Sequence, residues 1–195
     1  MKLQIIVFAI LILASCKDTG NSGTVSDNTA AATIATNTFP QNDKQGNEGT
    51  YLCKINGKPW HYTKASGLVS RHKKTKKYDA TFTFTKKLDK GSEVVQLFYD
   101  GDSYKLDRAA VHLKVAKVSG GLMTAMYIYH PKMMKKHPNA KVSGVIDISN
   151  PTKASGKAEI SDLDVTYDKE KVKYSRDKIV TVTDVSFAGI GYSSK

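Results

Sequence analysis

From Tyr51 onward, apolar and polar residues alternate with a period of two in one short segment after another. Such alternation sends successive side chains to opposite faces, as in a strand with one buried side. The cleanest case is YDATFTFTK, residues 78–86, where Phe82 and Phe84 alternate with Thr81, Thr83 and Thr85. EVVQLFYD, AAVHLKVAKV, LMTAMYIYH and KVSGVIDIS follow, and KIVTVTDVSFAGIG runs close to the end of the chain. In TYLCKINGKPWHYT, Asn56-Gly57 divides two apolar runs and predicts a tight hairpin turn. In SGKAEISDLDVTY the apolar parity changes between Ile160 and Leu163, which predicts a bulge or bend at Ser161-Asp162. Asp102–Ala110 is the one stretch that reads as a short helix. The pattern predicts an all-β domain of about eight or nine strands, an antiparallel β-sandwich or β-barrel, and leaves those two open.

The first 48 residues follow a different pattern. Ile5–Leu13 is an uninterrupted apolar run behind the cationic Lys2. It is too short to span a bilayer, which takes about 20 apolar residues, and it lacks the polar outer face of a core helix. It fits the apolar region of a secretory signal. Leu13-Ala14-Ser15-Cys16 then resembles a bacterial lipobox. That resemblance implies cleavage between Ser15 and Cys16, diacylation of the Cys16 thiol and a lipid anchor in the membrane. Two or three acyl chains hold stably where one holds marginally, at about 0.8 kcal/mol per buried CH₂. Lys17–Glu48 is rich in Thr, Asn, Ser, Ala and Gly and poor in aromatic and branched apolar residues. Such a segment buries too little surface to offset its ordering entropy, and coil scaling gives it a reach of about 30 Å. The expected organisation is therefore a signal peptide at 1–15, a lipidated cysteine and tether at 16–49, and the all-β domain at 50–195.

Charge changes the picture most. The 195 residues carry 30 Lys and Arg against 18 Asp and Glu, a formal net charge of +12, of which the signal peptide holds only Lys2. Two clusters stand out between predicted strands. SRHKKTKK supplies Arg71, Lys73, Lys74, Lys76 and Lys77, and HPKMMKKHP supplies Lys132, Lys135 and Lys136. Clustered Lys at loop tips either keeps a sheet edge soluble or forms a polyanion site. Ammonium groups act as point charges rather than forks, so binding at such a site should be diffuse and should weaken with salt. The clusters lack interleaved aromatics for base stacking, which argues against a nucleic acid partner.

Other chemistry-bearing residues carry less. With Cys16 lipidated, Cys53 is a lone thiol in an alternating segment and reads as a small core hydrophobe. His130 and His137 flank the second cluster at a separation that matches no zinc spacing. Asp100, Asp102 and Asp107 surround Gly101 without the calcium-loop register and read as a turn. Glu159, Asp162 and Asp164 fall on either side of the expected bulge. Tyr127 and Tyr129 share one face of an apolar strand and read as core, or as the lining of a ligand cavity. Hydrolase, metalloprotease and phosphate-loop motifs are absent from the sequence, so neither an enzyme nor a cofactor is expected.

The INGKPW opening, the ASGKAEI…KIVTVTDVSF ending, the lipobox and the Ser/Thr/Asn-rich tether together resemble small β-rich lipoproteins of Bacteroidota, most of unknown function. Asp184-Val185 stands where those proteins often carry Asn-Gly before the closing Phe187. Lys17-Asp18 behind the cysteine resembles part of their surface-export signal. The resemblance implies an outer-membrane address, facing outward, and supplies no catalytic residues. The function expected is a lipid-anchored binding or structural module whose partner is an acidic lipid, glycan or envelope protein. The alternative is a lipocalin-like carrier enclosing a lipid or small apolar ligand.

Overall fold

The computed structural model describes residues 49–71 and 73–195, which lie in one compact unit. The signal peptide, Ser15, Cys16, the tether and His72 fall outside the described residues. The described chain is all-β, with ten strands and no α-helix. The strands are β1 (Thr50–Ile55), β2 (Lys58–Tyr62), β3 (Lys64–Arg71), β4 (Tyr78–Lys87) and β5 (Ser92–Asp100). There follow β6 (Leu106–Ala116), β7 (Leu122–Tyr129), β8 (Lys141–Asp147), β9 (Lys153–Asp164) and β10 (Ile179–Ser194). Three short 3-10 turns join them: η1 (Pro131–Lys136), η2 (Lys169–Lys171) and η3 (Ser175–Asp177).

All ten strands belong to one sheet in the order β2-β1-β10-β3-β4-β5-β6-β7, with β9 and then β8 branching from β10. The expected antiparallel pairing holds at every ladder except one, because β3 and β10 run parallel through Gly67↔Tyr192 and Val69↔Ser194. The sheet is therefore mixed, and it is not closed into a barrel. Beyond β7 no ladder joins the chain after β9; the links are the isolated bridge Tyr127↔Val165 and single hydrogen bonds such as Thr166 N–H to Met126 C=O at 2.7 Å.

β10 explains how one sheet serves both sides of a core. Its buried residues run Val180, Val182, Val185, Phe187 and Ile190, so the period of two slips twice. The register with β9 shifts at the same places, between Val182 and Val185 and between Phe187 and Ile190. Asp184 (φ 58°) and Gly189 (φ 68°) sit in the left-handed region there, the conformation a bulge requires. These bends let β10 leave β1 at Val182–Thr183 and join β3 at Tyr192–Ser194. The bulge expected at Ser161-Asp162 is present, with Asp162 at φ 53° and a register shift opposite it.

The curled sheet closes over one apolar cluster. Phe82 and Phe84 of β4 reach Phe187 of β10, at centroid separations of 5.5 and 5.1 Å. Tyr99 of β5 is fully buried and donates its hydroxyl to Lys157 C=O of β9. Tyr127 is buried in the same cluster, as is Cys53, whose thiol pKa burial pushes up to about 12. Asn56 (φ 48°) and Gly57 (φ 78°) form the expected two-residue turn between β1 and β2. Asp102–Ala110 is not a helix. It is a turn running into β6, and Asp100 explains why: its Oδ1 accepts the Asp102 and Ser103 N–H groups at 3.0 and 2.7 Å. An Asx turn of that kind competes locally with helical bonding.

Candidate functional site

The two lysine clusters lie far apart in sequence and at one end of the sheet in space. Arg71, the last residue of β3, pairs with Tyr78, the first of β4. Asp79 pairs with Asp100 at the end of β5, and Tyr99 pairs with Leu106 at the start of β6. Ala109 pairs with Tyr129 at the end of β7, where η1 begins. The β3–β4 loop, the β5–β6 turn and η1 therefore share an edge. Three strand spacings separate the outer two, about 14 Å along the sheet.

Local contacts hold each basic loop in place while leaving its lysines in water. Arg71 donates Nε–H to Lys76 C=O at 2.9 Å, and its guanidinium lies 5.5 Å from the Tyr78 ring centre. Lys76 takes the left-handed turn position at φ 59°. Lys73, Lys74, Lys76 and Lys77 are all exposed. In η1, His130 caps the turn by accepting the Lys132 N–H on Nδ1 at 3.1 Å, and Pro131 follows at the first position. Lys132 and Lys135 are exposed, and Lys136 closes the same turn. His137 follows it at 3 % exposure, seating the loop against the domain. The two histidines thus serve as a cap and a seat.

Three of the acidic groups at this end are already engaged, while Asp102 stands exposed in the β5–β6 turn. Asp79 and Asp107 both pair with Arg108, at 2.8 and 3.1 Å. Asp100 is occupied by the turn, and the Ser103 N–H, first among its partners, holds its carboxyl below the usual range. By contrast Lys73, Lys74, Lys76, Lys77, Lys132 and Lys135 form no ion pair with described residues. Exposed Lys105 from the β5–β6 turn and Lys195 at the end of the chain add to the same edge, the latter accepting the Arg71 N–H on its C=O. The result is a rim on which exposed lysines outnumber the one side-chain carboxylate left without a partner among the described residues, Asp102.

Carboxylates elsewhere have structural work. Glu159 Oε1 accepts the Asp184 N–H at the β10 bulge, and Asp164 pairs with Lys169. Asp162 occupies the β9 bulge.

A second feature, at the opposite end, is not announced by any motif in the sequence. There, a cleft of about 640 Å³ opens between the β1–β2 turn, the start of β5, the end of β6 and η3. Trp60, at 4 % exposure, forms part of its wall and donates Nε1–H to Glu93 Oε2 at 3.0 Å. The other Glu93 oxygen accepts the Lys114 N–H at 3.1 Å. The facing wall, Tyr174 to Asp177, is tied down at three points. Lys173 N–H bonds to Ala116 C=O at 2.9 Å, the Tyr127 hydroxyl donates to Asp177 C=O, and Asn56 Nδ2 donates to Arg176 C=O at 3.3 Å. Each tie joins residues far apart in sequence, so no local motif announces the cleft.

No helix among the described residues is long and apolar enough to cross a membrane. Comparison with protein-family models, with curated proteins and with solved structures found no match in any of the three.

Proposed function

We propose that this protein is a lipid-anchored envelope lipoprotein whose all-β domain binds an acidic partner through its cationic rim. One observation carries the reading: two lysine clusters separated by more than fifty residues converge on one edge, where Asp79 and Asp107 are paired with Arg108 and Asp100 is taken up by its turn. The lipobox at Leu13–Cys16 supplies the anchor, and the tether lets the domain turn its rim toward headgroups or an extended envelope polymer. The outer membrane is the proposed address, with the domain facing outward. The rings of Phe82, Phe84 and Phe187 fill the space between β4 and β10, which supports a surface-binding module over a carrier that encloses its ligand.

Two measurements test this. Mass spectrometry of the protein extracted from membranes should find acyl chains on Cys16, and Cys16→Ala should release it to the soluble fraction. The Cys16→Ser chain, freed of its anchor, should sediment with phosphatidylglycerol-containing vesicles at low salt and not with phosphatidylcholine vesicles. Binding that persists undiminished in high salt would rule out an electrostatic surface.

A further inference from the structure

The cleft at the end opposite the cationic rim has a lining that selects a ligand class. Ile55, Pro59, Leu113, Val115 and Ile179 give it apolar walls beside the indole of Trp60. Ile179 opens β10 at 44 % exposure and Tyr174 stands 41 % exposed on the facing wall, so apolar surface here is held in contact with water. Its volume lies within the range of small-molecule sites, about 300–1,000 Å³.

The polar groups decide what else the ligand must carry. Most acceptors suited to reading sugar hydroxyls are consumed by the fold, the Asp177 carboxylate beside Arg176 excepted. Both Glu93 oxygens take the Trp60 and Lys114 donors, and Asn56 spends its carbonyl on Thr181 N–H at 2.8 Å. Asn56 Nδ2 is equally occupied, by the carbonyls of Arg176 and Ile179. The Lys114 ammonium is engaged with Thr124 Oγ1 at 2.8 Å. Two cations in the lining remain uncommitted to the fold. Lys58 is exposed and forms no ion pair with described residues, and Arg176 is 76 % exposed, 3.8 Å from Asp177 and stacked 5.0 Å from the Tyr174 ring centre.

We propose that this cleft binds an anionic amphiphile: a single apolar chain lying along Leu113, Val115 and Ile179, with its carboxylate met by Lys58 and Arg176. The three ties that hold η3 against Ala116, Tyr127 and Asn56 keep the cationic wall in position before the ligand arrives. Preformed walls reduce the ordering cost of binding. The site is separate from the cationic rim, since β5 and β6 run their full lengths between the two.

Trp60 is the only tryptophan in the chain, so its emission reports directly on this cleft. The test titrates the Cys16→Ser full chain with dodecanoate, dodecanol and acetate at submicellar concentrations, reading Trp60 emission and calorimetric heat. Dodecanoate should bind saturably and shift the emission. Dodecanol, which lacks the charge, and acetate, which lacks the chain, should each bind about tenfold more weakly or worse. Lys58→Glu/Arg176→Glu, both at exposed positions, should reduce dodecanoate affinity by a similar factor and leave dodecanol unchanged. Equal binding of dodecanoate and dodecanol, full dodecanoate binding by the double variant, or no saturable response to dodecanoate would each overturn the proposal.

Discussion

Asn56 has two roles of different range. Locally, it and Gly57 supply the left-handed pair that turns β1 into β2. At long range, its side chain bonds to Arg176 C=O, Ile179 C=O and Thr181 N–H, fastening the start of β10 to the hairpin. Asn56→Gly keeps the turn and removes all three bonds, so it should lower stability by about 1–2 kcal/mol in urea unfolding. It should also loosen the Arg176 wall of the cleft, seen as faster hydrogen exchange at residues 174–179. The turn was legible in the sequence because its two residues are adjacent. The clamp was not, because its partners lie 120 or more positions away. Cys53 was legible for a similar reason: an apolar neighbour pattern predicts burial, and burial is what raises its thiol pKa. Trp60 had no readable role, since its indole bonds to Glu93 of another strand and only the folded sheet brings the two together.

At the scale of elements, the strands were legible wherever period two was strict, as in β4, and the bulge in β9 showed itself as a change of parity. The bends in β10 were not read from the sequence, although Asp at 184 is one of the few non-glycine residues at home with positive φ. Their consequence, the parallel seam with β3, was not visible, because nothing in either segment encodes the direction of its partner. Two glycines test how tightly the curled sheet is packed. A Cβ at Gly156 of β9 would come within 2.5 Å of the Phe187 ring, inside the buried aromatic cluster. Gly156→Ala should therefore cost about 1–3 kcal/mol through overpacking. A Cβ at Gly191 of β10 would meet nothing within 4 Å. Gly191→Ala should be neutral or stabilising by up to about 1 kcal/mol, through the smaller backbone entropy lost on folding. Chemical denaturation of the two variants side by side checks both signs; a Gly156→Ala protein as stable as its parent would mean that β9 and β10 are more loosely joined than described.

For the whole molecule, the sequence supplied the lysines and the fold supplied their arrangement. The clusters were legible as charge runs at loop positions. Their meeting on one edge depends on the pairing of β3 through β7, which composition does not contain. The two loops stand about 14 Å apart along the sheet, farther than the Debye length of about 8 Å at physiological salt. They should therefore act nearly independently on one another while facing the same extended partner, and charge reversals in the two should add. A juxtamembrane Lys or Arg contributes about 1 kcal/mol toward an anionic surface, so neutralising two lysines in one loop should weaken binding about thirtyfold, and reversing them to Glu should weaken it further.

The proposed function requires that this rim, and not net charge alone, bind the acidic partner. The direct measurement compares phosphatidylglycerol vesicle affinity for Lys73→Glu/Lys74→Glu, Lys132→Glu/Lys135→Glu, their combination, and Lys87→Glu/Lys90→Glu. The last pair flanks the β4–β5 turn at the opposite end, with exposed side chains and the same change in net charge. Each rim variant should lose affinity, the combination should lose nearly the sum in free energy, and the opposite-end control should bind close to normally. Equal losses in the control and the rim variants would contradict the claim.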